Sequence, residues 1–196
     1  AYLLGRDMAG REAGLVAAVA YMYAPYQFFD SAYRGNLPEL WSLSFLPWVL
    51  WTGRRAALSD RWRDTLPFVF AYGAFVWTHN IYTMLGTPVL GLYLLLLWWH
   101  RGHRFRDLVR LGSMLVLGLS LAGFYWLPAI FEMGWTRYSP ALFDYKSAFL
   151  SLGEMLAWPP QMDLSLLNDF PPRSLNWGML LLIVMAGGVA IYRLIR

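Results

Sequence analysis

Residues 65–99, with the sequence TLPFVFAYGAFVWTHNIYTMLGTPVLGLYLLLLWW, form an apolar stretch between two connections rich in arginine. Each of these connections, 53–64 and 100–110, carries four arginines, and arginine-rich connections of membrane proteins lie on the cytoplasmic side. The stretch must therefore cross the membrane an even number of times. Its 35 residues reach only about 52 Å as helix, whereas two full hydrocarbon crossings need about 60 Å. We therefore expect a hairpin that turns inside the membrane.

The turn of this hairpin has two candidate positions, Thr78-His79-Asn80 and Gly86-Thr87-Pro88. Irregular backbone at membrane depth is tolerated only where protein or a water-filled cavity surrounds it. A wet cleft near His79 is therefore expected.

The composition indicates an integral membrane protein. Apolar residues make up 58% of the 196 residues and charged residues only 14%, whereas soluble domains are about 25% charged. Aromatic residues reach 18%, which suits a protein that meets two water–lipid boundaries. The lack of cysteine excludes a disulfide framework, a Cys-ligated zinc site, an iron–sulfur cluster and a Cys nucleophile. The net charge of +4 follows the topology, so we expect no nucleic-acid partner.

Six stretches have the length and flanks of membrane helices. They are 13–29, 38–52, 65–79, 81–99, 111–131 and 177–192. These stretches predict an all-α integral membrane bundle of about six transmembrane helices, forming a single transmembrane domain over 1–196. Because the chain begins with Ala and ends soon after a hydrophobic stretch, we expect an internal fragment of a longer protein whose N-terminal spans are missing.

Twelve of the 16 Lys and Arg residues lie in the two connections above and near the two chain ends, which predicts that these parts are cytoplasmic. The connections 30–37, 80–87 and 132–176 are then outside, in a membrane that we expect to be the bacterial plasma membrane. Within the long outer connection, the apolar residues of 142–158 lie along one helical side and predict a short interfacial helix.

The first candidate site is the segment 24–39, which places Asp30, Arg34 and Glu39 at the outer ends of two adjacent helices. Arg34 is the only basic residue of this segment, and a guanidinium suits a phosphate or carboxylate in a dehydrated setting. The structural alternative is that Asn36 and Glu39 form a capping box at a helix start, with Arg34 paired to Asp30 or Glu39.

The second candidate site is His79-Asn80, a polar pair near the outer end of a short span. A neutral imidazole there would bind a lipid phosphate or shuttle a proton. Alternatively, the pair satisfies backbone groups that the hairpin turn frees. Glu132, after the fifth span, either faces the same outer cleft or marks the water boundary.

The pair His100-x-x-His103 has a spacing that suits a metal, but it lies among four arginines and lacks a third ligand. Anchoring of this connection to anionic lipid head groups explains the pair better, so we predict no metal site here.

Three blocks of the chain carry a family pattern. They are Tyr23-Ala24-Pro25-Tyr26 with Asp30, Tyr33-Arg34-Gly35-Asn36, Glu39 and Pro47; Thr78-His79-Asn80; and Phe124-Tyr125-Trp126-Leu127-Pro128 with Glu132. Together they resemble a family of bacterial multi-pass membrane proteins described as 6-pyruvoyl-tetrahydropterin synthase related. A pterin synthase binds zinc through three histidines, and the three here are predicted on opposite membrane faces, so that activity is not expected.

In layout the family is similar to GT-C membrane glycosyltransferases, which take a sugar from a polyprenyl-phosphate carrier at the outer face. This resemblance implies a catalytic carboxylate in an outer loop that would precede Ala1, and it allows a divalent cation. It also implies that Arg34 and His79 contact the lipid phosphate. Asp30, Glu39 and Glu132 would then line the acceptor side, and the partners would be membrane lipids and a polyprenyl-phosphate sugar.

Two other functions stay open. One is a transporter or flippase for a lipid-linked or anionic solute, because interrupted helices often build sites at the membrane midplane. The sequence shows no inverted repeat in its support. The other is a non-catalytic structural subunit of a membrane complex, which the high aromatic content would suit.

Overall fold

The computed structural model describes residues 1–24, 26–27, 30–102, 104–135, 151–156, 180–182, 184–185 and 188. Within the predicted interfacial helix over 142–158, only 151–156 are described, and they contain a four-residue helix. The predicted last span, 177–192, is described at six positions, all of them helical. The remainder of both predictions lies outside the described residues.

The described residues form helices and turns without any strand, as expected for an all-α protein. The helices are α1 (Tyr2–Ala9), α2 (Arg11–Met22), α3 (Leu37–Leu58), α4 (Trp62–Thr78), α5 (Asn80–His100), α6 (Phe105–Leu121), α7 (Gly123–Phe131) and α8 (Leu152–Met155). A π-helical turn (Asp30–Arg34) precedes α3, and a 3-10 turn (Met133–Trp135) follows α7.

The predicted spans 38–52, 65–79 and 81–99 correspond to α3, α4 and α5, whereas 13–29 corresponds to the shorter α2 and 111–131 to the bent pair α6 and α7. Among the described residues, α5 is the one helix that is long and apolar enough to cross a membrane by itself. The pair α6 and α7, bent by 71° at a short break, passes together as a second candidate. The other helices are shorter, like the 17-residue α4, or carry polar and charged residues, like α3. The count of six spans therefore stays a prediction.

The hairpin within 65–99 breaks at the first of its two candidate positions. α4 ends at Thr78 and α5 begins at Asn80, so the whole break is His79, in an extended conformation with φ −158° and ψ 122°. The second candidate, Gly86-Thr87-Pro88, lies within the continuous helix α5.

The core lies where α4 packs against α3 and α6. Its largest fully buried side chains include Phe68, Tyr72 and Phe75, all on α4. α4 and α6 approach closely at Gly73 and Gly118. A Cβ added at Gly73 would lie 3.1 Å from the Gly118 carbonyl oxygen, and one at Gly118 would lie 2.6 Å from Tyr72 Cδ1. Small residues allow this approach, as they do at helix contacts in membranes.

α1 and α2 cross in the same way through glycines. A Cβ at Gly14 would lie 2.8 Å from the Tyr2 carbonyl oxygen, and one at Gly5 would lie 3.0 Å from Gly14 Cα. α1 also contacts α3 through Asp7, which accepts a hydrogen bond of 2.8 Å from Trp51 Nε1. This bond, together with the Arg6 side chain, holds the pKa of the Asp7 carboxyl below its usual value.

Two compact units divide the chain. The first comprises Ala1–Ala17 with Asn36–Arg137, and it contains the core described above. The second comprises Ala18–Gly35 with Tyr138–Arg196, and its described part includes the turn Asp30–Arg34 and α8. A single transmembrane domain over 1–196 stays a prediction.

Candidate functional site

A buried carboxylate lies in the first turn of α3. Glu39 is only 5% exposed, and both of its carboxylate oxygens accept hydrogen bonds. Tyr82 Oη donates to Oε1 at 3.1 Å, and Asn36 Nδ2 donates to Oε2 at 2.7 Å. A buried charge is costly unless it is hydrogen-bonded, so these two donors stabilise Glu39 where it lies.

The start of α3 explains the position of Glu39, although it differs from the expected capping box. Asn36 is at the N-cap and Pro38 follows within the first helical positions, where proline is favoured. The Asn36 side chain, however, makes no cap hydrogen bond to the helix and binds the Glu39 carboxylate instead. The Asn36 half of the capping box is therefore wrong, since this side chain donates its Nδ2–H to the Glu39 carboxylate and accepts no N–H of the helix.

His79 caps α5, as the structural alternative proposed. Its Nδ1 accepts a hydrogen bond from the Tyr82 backbone N–H at 3.4 Å, and its carbonyl oxygen accepts one from Thr83 Oγ1 at 3.0 Å. The His79 and Tyr82 rings meet edge to face, with 5.4 Å between their centroids. Tyr82 thus contacts both Glu39 and His79, and we name Asn36, Glu39, His79 and Tyr82 the Tyr82 cluster.

Sequence reasoning missed Tyr82. In a chain with twelve tyrosines, a single one near a span end is indistinguishable from the aromatic residues that line water–lipid boundaries. Its position three residues after His79 was an available signal, because the residue at N3 is the one that an N-cap side chain contacts.

A second polar contact fixes α3 to the end of α4. Ser42 Oγ and Thr78 Oγ1 are 2.6 Å apart, and Thr78 Oγ1 also donates to the Phe75 carbonyl oxygen at 2.8 Å. Ser42 is fully buried. This contact holds the break at His79 next to the first turns of α3.

Chain neighbours of the Tyr82 cluster line an open groove of about 430 Å³. We name it the aromatic groove; it is lined by Leu37, Pro38, Trp41, Phe45, Ala74, Trp77 and Thr78. Trp41 and Trp77 are each more than half exposed, and Trp41 stacks on Phe45 with centroids 6.1 Å apart. The lining is largely apolar, because the small polar groups nearby bind one another and leave aromatic faces on the groove. The wet cleft expected near His79 stays a prediction.

Arg34 and Asp30 form their own pair in the second unit. Asp30 is fully buried, and Arg34 Nη1 lies 3.4 Å from Asp30 Oδ1 and 3.1 Å from Tyr26 Oη. The π-helical turn brings the two side chains onto one side, and Gly35, with φ 61°, ends that turn. Asp30 is thus the first of the two partners that the sequence predicted for Arg34.

Asn80 and Glu132 are exposed at helix ends. Asn80 is the first residue of α5, and Glu132 follows α7, where its backbone N–H donates to the Pro128 carbonyl oxygen at 2.8 Å. Of the predicted site residues, the structure therefore joins Glu39 with His79 through Tyr82, and Arg34 with Asp30.

Over the described part of the chain, no group of three or more His, Asp or Glu side chains is placed to hold a metal ion. His79 and His100 lie at opposite ends of α5, which at 1.5 Å per residue separates them by about 30 Å. They cannot share one ion, and His103 lies outside the described residues.

Comparison with known proteins gives one match. A family model described as "6-pyruvoyl-tetrahydropterin synthase related domain; membrane protein" matches residues 1–193. No curated protein and no solved structure matches the chain significantly.

Proposed function

This chain belongs to the 6-pyruvoyl-tetrahydropterin synthase related family of membrane proteins, and we propose that it forms part of a polyprenyl-phosphate-dependent glycosyltransferase. The enzyme would be GT-C-like and act at the outer face of the membrane. Pterin synthase chemistry does not suit this chain, since His79 and His100 are too far apart for a shared zinc site.

The proposal rests on one observation: neighbouring residues of the chain form the aromatic groove and the Tyr82 cluster. Leu37 and Pro38 of the groove directly precede Glu39, and Thr78 of the groove directly precedes His79. A polyprenyl phosphate has the same division, with a long apolar chain that ends in an anionic head. Aromatic side chains provide apolar area for such a chain, and the adjacent polar groups would meet its head.

The resemblance to GT-C enzymes suggests roles for residues of the first unit: His79 would contact the lipid phosphate, while Glu39 and Glu132 would face the acceptor. In the reaction, the acceptor hydroxyl oxygen bonds to the anomeric carbon as the bond from that carbon to the phosphate oxygen breaks. A carboxylate base takes the hydroxyl proton, and cationic groups stabilise the leaving lipid phosphate.

The test is transfer from polyprenyl-phosphate-linked sugars by the full-length protein in membranes, together with crosslinking to a photoreactive polyprenyl phosphate. Glu39→Gln should lower transfer at least tenfold, by roughly the contribution of one general acid–base or orienting carboxylate, and leave crosslinking intact. Trp41→Ala should lower crosslinking.

Trp48→Ala is the matched control for the groove, because Trp48 lies on the same helix with a similar exposure of 53%, against 57% for Trp41. It should crosslink like the wild type. Movement of the lipid across proteoliposomes without a glycosidic product would support the transporter instead. Co-purification with partners would support a structural subunit if Glu39→Gln and Trp41→Ala changed neither transfer nor crosslinking.

A further inference from the structure

A second pocket lies far from the Tyr82 cluster, where the 53–64 connection meets the start of α6. It has a volume of about 250 Å³, well above the ~15 Å³ that one water needs. We name it the charged pocket; it is lined by Asp60, Thr65, Arg106, Asp107, Val109 and Arg110. Thr65 is near the start of α4, whereas the Tyr82 cluster lies beyond its end.

Arg110 lines this pocket, and its guanidinium is partly buried in the surrounding protein. Its Nη1 donates to the Ser59 carbonyl oxygen at 2.5 Å. Its Nε and Nη2 are buried and have no hydrogen-bond partner in the described part of the chain, although Nη2 lies 3.5 Å from Asp107 Oδ1. Buried polar groups are nearly always hydrogen-bonded, and a guanidinium edge of this kind is the one that binds phosphate or carboxylate oxygens in pairs.

The charges of the lining balance. Arg106 and Arg110 oppose Asp60 and Asp107, so the lining as a whole has no net charge. Arg101 holds the Asp60 carboxylate at 2.7 Å without being part of the lining. A ligand with a net negative charge would meet two carboxylates, whereas a neutral zwitterion would find partners for both of its charges.

We propose that the charged pocket binds an amine-bearing phosphate ester, as in the head group of phosphatidylethanolamine. The phosphate oxygens bind the guanidinium groups of Arg106 and Arg110. The ammonium group donates to Asp60 and Asp107. Both connections that form the pocket are predicted to lie at the cytoplasmic membrane surface, where lipid head groups can reach it. Val109 adds an exposed apolar side chain to the lining of the pocket.

The test is native mass spectrometry of the full-length protein with equimolar phosphatidylethanolamine, phosphatidylglycerol and phosphatidylcholine, and separately with free phosphoethanolamine. The wild type should retain phosphatidylethanolamine about tenfold better than the other two, because phosphatidylglycerol lacks the ammonium and phosphatidylcholine cannot donate from it. Equal retention of all three, or preference for phosphatidylglycerol, would overturn the proposal. Binding of free phosphoethanolamine alone would keep the ligand chemistry and overturn the lipid as its source.

The variants separate the pocket from general surface charge. Arg110→Lys keeps a cation but loses the planar guanidinium, and Arg106→Gln removes an exposed charged side chain. Both should lose the preference for phosphatidylethanolamine. Arg61→Gln, an exposed arginine in the 53–64 connection that is not part of the lining, should keep it. If all three variants behave alike, the charged pocket is not the binding site.

Discussion

At the scale of single residues, Tyr82 explains how a carboxylate is tolerated inside this helical unit. Its hydroxyl donates to Glu39, and its backbone N–H donates to His79. Tyr93, on the same helix, presents the opposite case, because its hydroxyl oxygen is buried without a hydrogen-bond partner in the described structure. The two tyrosines therefore differ in what their hydroxyl groups contribute to stability.

Tyr82→Phe should lower the free energy of unfolding by about 1–3 kcal/mol, because the buried Glu39 carboxylate loses one of its donors. Chemical denaturation of the purified full-length protein in detergent measures this change. Tyr93→Phe is the matched control and should be neutral or slightly stabilising, because it removes a buried hydroxyl without a partner. Equal losses for the two variants would show that the bond to Glu39 contributes nothing.

At the scale of helices, close backbone approach fixes how α4 and α6 pack. Gly118 lies against Tyr72 and against the Val69 carbonyl oxygen, which a Cβ at Gly118 would approach to 3.1 Å. Gly112, on the same helix, has nothing within 4 Å of an added Cβ. Two glycines of similar appearance in the sequence thus have different structural roles.

Gly118→Ala should destabilise the protein by about 1–3 kcal/mol, since the new methyl group overpacks a tight contact. Gly112→Ala should instead stabilise α6 by up to about 1 kcal/mol, because alanine favours helix more than glycine does. Thermal unfolding of both variants in the same detergent gives the comparison. A neutral Gly118→Ala would mean that α4 and α6 are farther apart than described.

At the scale of the whole molecule, membership in a family of membrane proteins agrees with the apolar composition and with the candidate span α5. The sidedness of the connections rests on the distribution of arginines alone. It predicts that the 53–64 connection is cytoplasmic and that the segment after α7 is outside.

Single cysteines can test this topology, because these 196 residues contain none. Gly134→Cys should react with a membrane-impermeant maleimide in intact cells, and Arg61→Cys should react only after permeabilisation. Both positions are exposed, and a Cβ at Gly134 meets nothing within 4 Å. The cysteine-free wild type gives the background. Labelling of both variants in intact cells would refute the predicted orientation.

The sequence alone determined where the central helices form and that the hairpin breaks, and the structure chose the first of the two candidate positions. Hydropathy and helix length are local properties, so the apolar stretches predicted α3, α4 and α5 closely, and the length of 65–99 required a break that the structure has at His79. The family was equally readable, because its pattern lies in short blocks of sequence such as Thr78-His79-Asn80.

Only the tertiary structure decided which polar groups meet. Tyr82 and Glu39 are 43 residues apart, and Arg110 and Ser59 are 51 apart. Such contacts depend on how helices rotate and cross, which periodicity does not specify. The same holds for the apolar lining of the groove beside His79: the buried polar groups bind one another, and this leaves Trp41 and Trp77 to form its surface.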